Sequence, residues 1–134
     1  MKNSSRVIKY DSFRWSGVAI GEYKADSSDF KGVSRQTLIG EGDGETDLNF
    51  ITRYFELAPG GYSTLEEHQH PHSVVVLRGR GQVVLGERRY DIEPYDCVYI
   101  SPGTVHRFEA SDQQPLGFIC IVDRIRDRPK PLKT

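Results

Sequence analysis

Gly, Pro, Asp and Asn interrupt the chain at short intervals, and between them lie runs rich in Val, Ile, Tyr, Phe and Thr. Those residues suit a pleated, half-buried surface and the interruptions supply turns, so the pattern predicts strands. The runs are RVIKY (6–10), SGVAIGEY (16–23), VSRQTLIG (33–40), LNFITRYFEL (48–57), SVVVLRG (73–79), GQVVLG (81–86), RYDIE (89–93), CVYIS (97–101), VHRFEA (105–110) and LGFICIVD (116–123). No window sustains an apolar period of 3.6 residues over a helical length, which argues against alternating strands and helices. Regularly spaced short strands point to an all-β sandwich or barrel.

The alternation also orients individual strands. In LNFITRYFEL, Ile51, Phe55 and Leu57 share one face, with Arg53 as the polar exception on it. SVVVL is apolar on both faces and is expected to lie deepest. GEGDGETD (40–47) lacks the spaced ligands and closing glutamate of a calcium loop and reads as a hairpin connection. RGRG (78–81) occurs once, between two strand-like runs, and reads as a turn rather than an RNA-binding repeat. The closing DRIRDRPKPLKT is basic, and its Pro-Lys-Pro cannot continue a sheet interior, so a solvated tail is expected over 124–134.

Composition narrows the class of partner. A chain of 134 residues is one domain in size, and 18 basic against 19 acidic residues leave a formal net charge of −1. That balance creates no field to gather nucleic acid or an anionic membrane, so the expected partner is a small molecule. No apolar stretch approaches a membrane span and no secretory leader is visible, which predicts a cytoplasmic protein. Cys97 and Cys120 each sit in an apolar strand-like run and are expected to be buried thiols rather than a disulfide. No P-loop, GxGxxG or GxSxG motif is present.

The candidate chemistry lies in one cluster. The four histidines are His68, His70, His72 and His106, and three of them fall within five residues beside Glu66 and Glu67. On a straight strand Glu66, His68, His70 and His72 would share a face but span about 20 Å, far beyond the ~2 Å reach of a metal–ligand bond. The chain must therefore reverse between His68 and His72, and Pro71 is the residue best suited to end a strand there. Glu66 and His68 then lie on the incoming strand, His72 on the outgoing one, and His70 near the turn.

The segments PGGYSTLEEHQHPHSVVVLRGRG and CVYISPGTVHRF resemble the two motifs of the cupin superfamily. Gly60 and Gly79 fit the ends of its first motif without a gap, which sets Glu66 and His68 on the two histidine positions and His72 on the glutamate position. The second motif maps onto Tyr95, Ser101, Gly103, His106 and Ala110, of which only Gly103 and His106 keep the family residue. A rival register pairs His68 with His70, but it puts Tyr62 on a glycine position and Val74 on the acidic one. His70 is left as a neighbour of the ion or an alternative ligand.

The resemblance covers roughly residues 48–123. It implies a double-stranded β-helix (jelly-roll barrel) of two antiparallel sheets, commonly a homodimer, holding one divalent ion on Glu66, His68, His72 and His106. Residues 1–47 read as extra strands that pack on or extend the barrel, with Trp15 and Tyr23 as packing anchors. Three imidazoles and a carboxylate suit Fe, Mn, Zn, Ni or Cu. Four protein ligands on an octahedral ion leave two positions open, which fits dioxygenase- or isomerase-type chemistry on a small oxygen-bearing molecule. A non-catalytic metal- or ligand-sensing module and a purely structural ion are the other readings at this stage. Glu67, Tyr54, Tyr62 and Arg53 are the nearby polar groups, with no catalytic role assigned.

Overall fold

The computed structural model describes residues 3–24 and 28–132. Residues 1–2 and 25–27 of the N-terminal segment and the last two of the basic tail lie outside the described residues. Thirteen strands follow one another among the described residues: β1 (Tyr10–Asp11), β2 (Arg14–Trp15), β3 (Gly21–Glu22), β4 (Lys31–Ile39), β5 (Phe50–Tyr62), β6 (Glu66–Glu67), β7 (His72–Gly79), β8 (Gly81–Leu85), β9 (Arg88–Ile92), β10 (Cys97–Ile100), β11 (His106–Ala110), β12 (Leu116–Asp123) and β13 (Lys130–Pro131). No helix appears among them, so none is long and apolar enough to cross a membrane.

β5 organises the barrel. Its first part pairs antiparallel with β4 on one side and β12 on the other, and β12 leads on to β7 and β10. Its far end crosses to the opposite face, where Tyr62 pairs with Glu109 of β11 beside β8 and β9. The crossing occurs at Gly60, whose φ of 75° favours glycine, and at Gly61, where a Cβ would stand 2.7 Å from the Lys31 carbonyl oxygen. Between the two faces Phe108 of β11 stacks on Phe118 of β12 at 4.2 Å, and Leu57, Val76 and Leu116 are fully buried.

The all-β architecture of two curled antiparallel sheets agrees with the sequence, and the run at 116–123 coincides with β12. Differences appear where a strand lacks a partner edge. Of RVIKY only Tyr10 is in a strand, and of SGVAIGEY only Gly21 and Glu22, because β-rich composition becomes a strand only where another strand accepts its hydrogen bonds. β7 is buried at Val74 and Val76 but only half-buried at Val75 and Leu77, so SVVVL is less deeply enclosed than its composition predicts. Cys120 is buried, whereas Cys97 is exposed: β10 alternates, and its Val98 and Ile100 take the inward positions. Both thiols are free.

Two connections differ from expectation, whereas the 40–47 loop joins the antiparallel pair β4 and β5 as the predicted hairpin connection. Arg80 joins β7 to β8, yet these strands pair with different neighbours, so RGRG is a corner between the two faces rather than a hairpin turn. The 40–47 loop folds around buried Glu45, which accepts the amide N–H groups of Gly40 and Gly42 and pairs with Arg6. The basic tail is exposed along much of its length but not loose. Lys130 and Pro131 pair with Glu67 and Glu66 as a sheet edge, a position where proline is tolerated.

The N-terminal segment packs on the barrel through aromatic rings. Trp15 lies 5.0 Å from Tyr54, and Tyr23 meets Phe55 at 5.9 Å. The same segment carries Lys24 and, through β4, Arg35 to the cavity inside the barrel.

Candidate metal centre

The reversal expected between His68 and His72 is present. β6 ends at Glu67, a bend follows at Gln69 and His70, and β7 begins at His72. The bend is held from outside by Asp127, which accepts the backbone N–H groups of Gln69 and His70 and the Nδ1–H of His70. His106 starts β11 directly opposite Glu66 in the sheet register. The connection after β6 and the first residues of β7 and β11 thus deliver His68, His72 and His106 to one point.

Ligand atoms of His68, His72 and His106 all lie within 4.8 Å of one another. The Nε2 atoms of His68 and His72 are 2.8 Å apart. Donors ~2 Å from a shared ion stand about 3 Å apart, so this spacing suits a common ion. The other ring nitrogens are committed elsewhere: His68 Nδ1–H donates to the His70 carbonyl at 2.6 Å, and His106 Nδ1–H to the Thr104 carbonyl at 2.9 Å. That choice of tautomer leaves the Nε2 lone pairs free for a metal. His72 Nδ1 lies 2.8 Å from the buried Cys120 Sγ.

Burial works in the same direction. Desolvation, reinforced by the neighbouring rings, pushes the His68 imidazole down to about 4 and that of His72 down to about 2. His106 is lowered too, chiefly by burial, against the opposing influence of the Thr104 carbonyl and Glu66. The imidazoles are thereby kept neutral, the form that binds metal.

Glu66 and His70 stand differently. Glu66 is buried, with Oε1 3.9 Å from His106 Nε2, while Oε2 is paired with Lys24. His70 is also buried and stacks on His68 at 3.6 Å with the planes 3° apart, its Nδ1 engaged by Asp127. Its ring is therefore layered behind that of His68. Of the other polar groups noted in the sequence, Arg53 lines the cavity, Tyr54 donates to Glu56 at 2.8 Å, and Tyr62 donates to Asp29 at 3.1 Å. Glu67 sits in the edge pairing with Lys130. Lys24, Arg126 and Asp127 carry no signal of a site in the sequence. They are remote from the histidines along the chain, and a charge in a loop reads as surface.

The cluster lines a cavity of about 210 Å³ inside the barrel. Residues 53–122 of the chain match the family description of the cupin domain. The chain belongs to the cupin family. Among cupins it is 44% identical over 119 residues to the 1-methylthio-D-xylulose 5-phosphate methylsulfurylase of Rhodospirillum rubrum, covering 88% of this chain and 74% of that protein. A cupin-2 domain structure from the same organism superposes with a TM-score of 0.81 at 41% identity, covering 96% of this chain and 84% of that one. A cupin 2 conserved barrel protein from Rhodopseudomonas palustris gives 0.84 at 42% identity, with 97% and 88% covered.

Proposed function

We propose that this cupin is a metal-dependent enzyme acting on a small oxygen-bearing molecule, with one divalent transition ion held by Glu66, His68, His72 and His106. The observation that carries the reading is the placement of three neutral imidazoles on the wall of a cavity. A purely structural ion is normally closed off by its ligands, whereas an ion here would face open space. Such an ion supplies Lewis acidity to the oxygen atoms of a bound substrate.

The relative at 44% identity is named for a methylthio ketose phosphate, and that supports the same substrate class for this chain. Among the oxygenase and isomerase types of chemistry, the reading favours proton transfer beside a carbonyl. The chain's own groups suit it: Lys24 Nζ pairs with Glu66 at the cavity, beside the imidazole cluster. His70, fixed by Asp127, packs behind His68 and keeps that ring aligned. The apolar walls formed by Leu57, Phe108 and Phe118 exclude water. The same reading takes the protein as a cytoplasmic homodimer with one ion per chain.

The test combines elemental analysis of purified protein with assay of 1-methylthio-D-xylulose 5-phosphate in the presence of excess small-molecule thiol. Stoichiometric metal and transfer of the methylthio group to the thiol sulfur as a mixed disulfide, the substrate carbon keeping the electron pair of the broken C–S bond and taking up the proton the thiol gives up, are the expected results. Metal-loaded protein that releases nothing from this substrate, and consumes no oxygen with diketones or phenols, would turn the reading toward a non-catalytic binding module.

A further inference from the structure

Arg53 is the anomaly of the barrel interior. It occupies an inward position on β5 between Ile51 and Phe55, opposite Cys120 of β12, and is only 8% exposed. Its guanidinium lies 5.0 Å over the Phe55 ring and bonds to Cys120, but its buried Nε has no hydrogen-bond partner. Burying a charge this far without a counter-charge costs several kcal/mol.

The surroundings sharpen the anomaly. Arg35 from β4 and Arg126 from the segment after β12 line the same cavity and are close enough to add like-charge repulsion at Arg53. None of the three arginines forms an ion pair among the described residues. Among the described residues the cavity's one lining carboxylate is Glu66, which is already taken by Lys24. Arg126 spends one nitrogen on the Asp123 and Arg124 carbonyls, which fixes its stem and leaves the rest of its fork free.

We propose that Arg35, Arg53 and Arg126 form the subsite for the phosphate group of a phosphomonoester substrate, in the same cavity as the imidazole cluster. The proposal rests on the reading of that cavity as a substrate site. A phosphomonoester carries close to two negative charges and three acceptor oxygens, which matches several guanidinium forks. A carboxylate would leave most of the positive charge uncompensated. With the phosphate held at the arginines, the substrate's oxygen-bearing end is directed to the imidazoles: Arg53 contacts Cys120, whose Sγ is 2.8 Å from His72 Nδ1.

Calorimetric titration of the purified protein with xylulose 5-phosphate, xylulose and inorganic phosphate tests this without any turnover. Xylulose 5-phosphate should bind at least about tenfold more tightly than xylulose, since a charge-assisted hydrogen bond contributes that much or more. Arg53→Gln, Arg35→Gln and Arg126→Gln should each erase about tenfold of that preference while leaving metal content unchanged. If Arg53→Gln does not fold, the two half-buried arginines decide. Equal binding of the two sugars, failure of both phosphate compounds to bind, or a preference that survives all three substitutions overturns the subsite. So does phosphate binding that disappears when the metal is chelated, because the anion then sits on the ion. Absence of methylthio release would count against the proposed reaction and leave the phosphate preference standing. A turnover-competent protein indifferent to phosphate would do the reverse.

Discussion

Asp127 Oδ1 lies 2.8 Å from His70 Nδ1, and the same carboxylate accepts the backbone N–H groups of Gln69 and His70 at 2.8 and 2.9 Å. One exposed carboxylate thus ties the C-terminal segment to the bend that separates His68 from His72. These bonds hold the Asp127 carboxyl well below the usual carboxylate range, the Gln69 amide contributing most. Asp127→Ala should speed amide exchange at Gln69 and His70 and weaken metal binding, while leaving the exchange of β12 unchanged. Unaltered exchange at the bend would show that the loop holds its shape without the carboxylate.

The ligand assignment predicts a sharp division among variants. His68→Ala, His72→Ala and His106→Ala should each reduce bound metal from one per chain to a trace, and Glu66→Ala should weaken binding. His70→Ala should retain the ion with an affinity reduced by about tenfold, the usual cost of losing a group that supports a ligand. Elemental analysis reads all five. Loss of metal in His70→Ala with full retention in Glu66→Ala would reverse the assignment.

Acid should destabilise the metal-free protein before it touches most carboxylates. An ordinary histidine titrates at 6.5, but burial lowers His68 to about 4 and His72 further. Between those values the unfolded chain binds protons that the folded chain refuses, so stability falls with falling pH. The melting temperature of chelated protein should decline from about pH 6.5 to about pH 4, and saturating Zn²⁺ or Mn²⁺ should blunt the decline. A flat profile across that window would mean that the rings are solvated.

Tyr95 has a φ of 77° and is exposed, at a position where the family motif has glycine. The backbone therefore keeps the left-handed turn although the residue that favours it has been replaced. Holding a non-glycine residue there costs roughly 1 kcal/mol. Tyr95→Gly should raise the melting temperature by a few degrees without altering metal content.

Gly79 presents the opposite case. Its φ is 76°, and a Cβ would lie 1.6 Å from the Pro115 carbonyl oxygen. Gly79→Ala should cost about 3 kcal/mol or more, beyond the range of an ordinary point substitution, and its denaturation midpoint should show it.

The strands of the barrel were legible because each has a partner and therefore keeps the alternation that partners impose. β13, two residues long, carries no periodicity to reveal it, and β6 is legible only as the strand that must lead into the reversal. The reversal at Pro71 followed from simple reach: no ion spans a straight strand of four potential ligands. Glycine spacing marks Gly60 and Gly79, and both take a positive φ. Arg53 announced itself as the charged residue on an apolar face. Lys24, Arg126 and Asp127 gave no such sign, since their partners are brought near only by the closed fold.

The family match spans residues 53–122, yet Lys24, Arg35, Arg126 and Asp127 all reach the cavity or its rim from outside that span. On the proposed reading the ion would constrain the barrel, and the substrate would constrain the flanks together with Arg53. A chimera that joined this barrel to the termini of another cupin should keep its metal and exchange its diet.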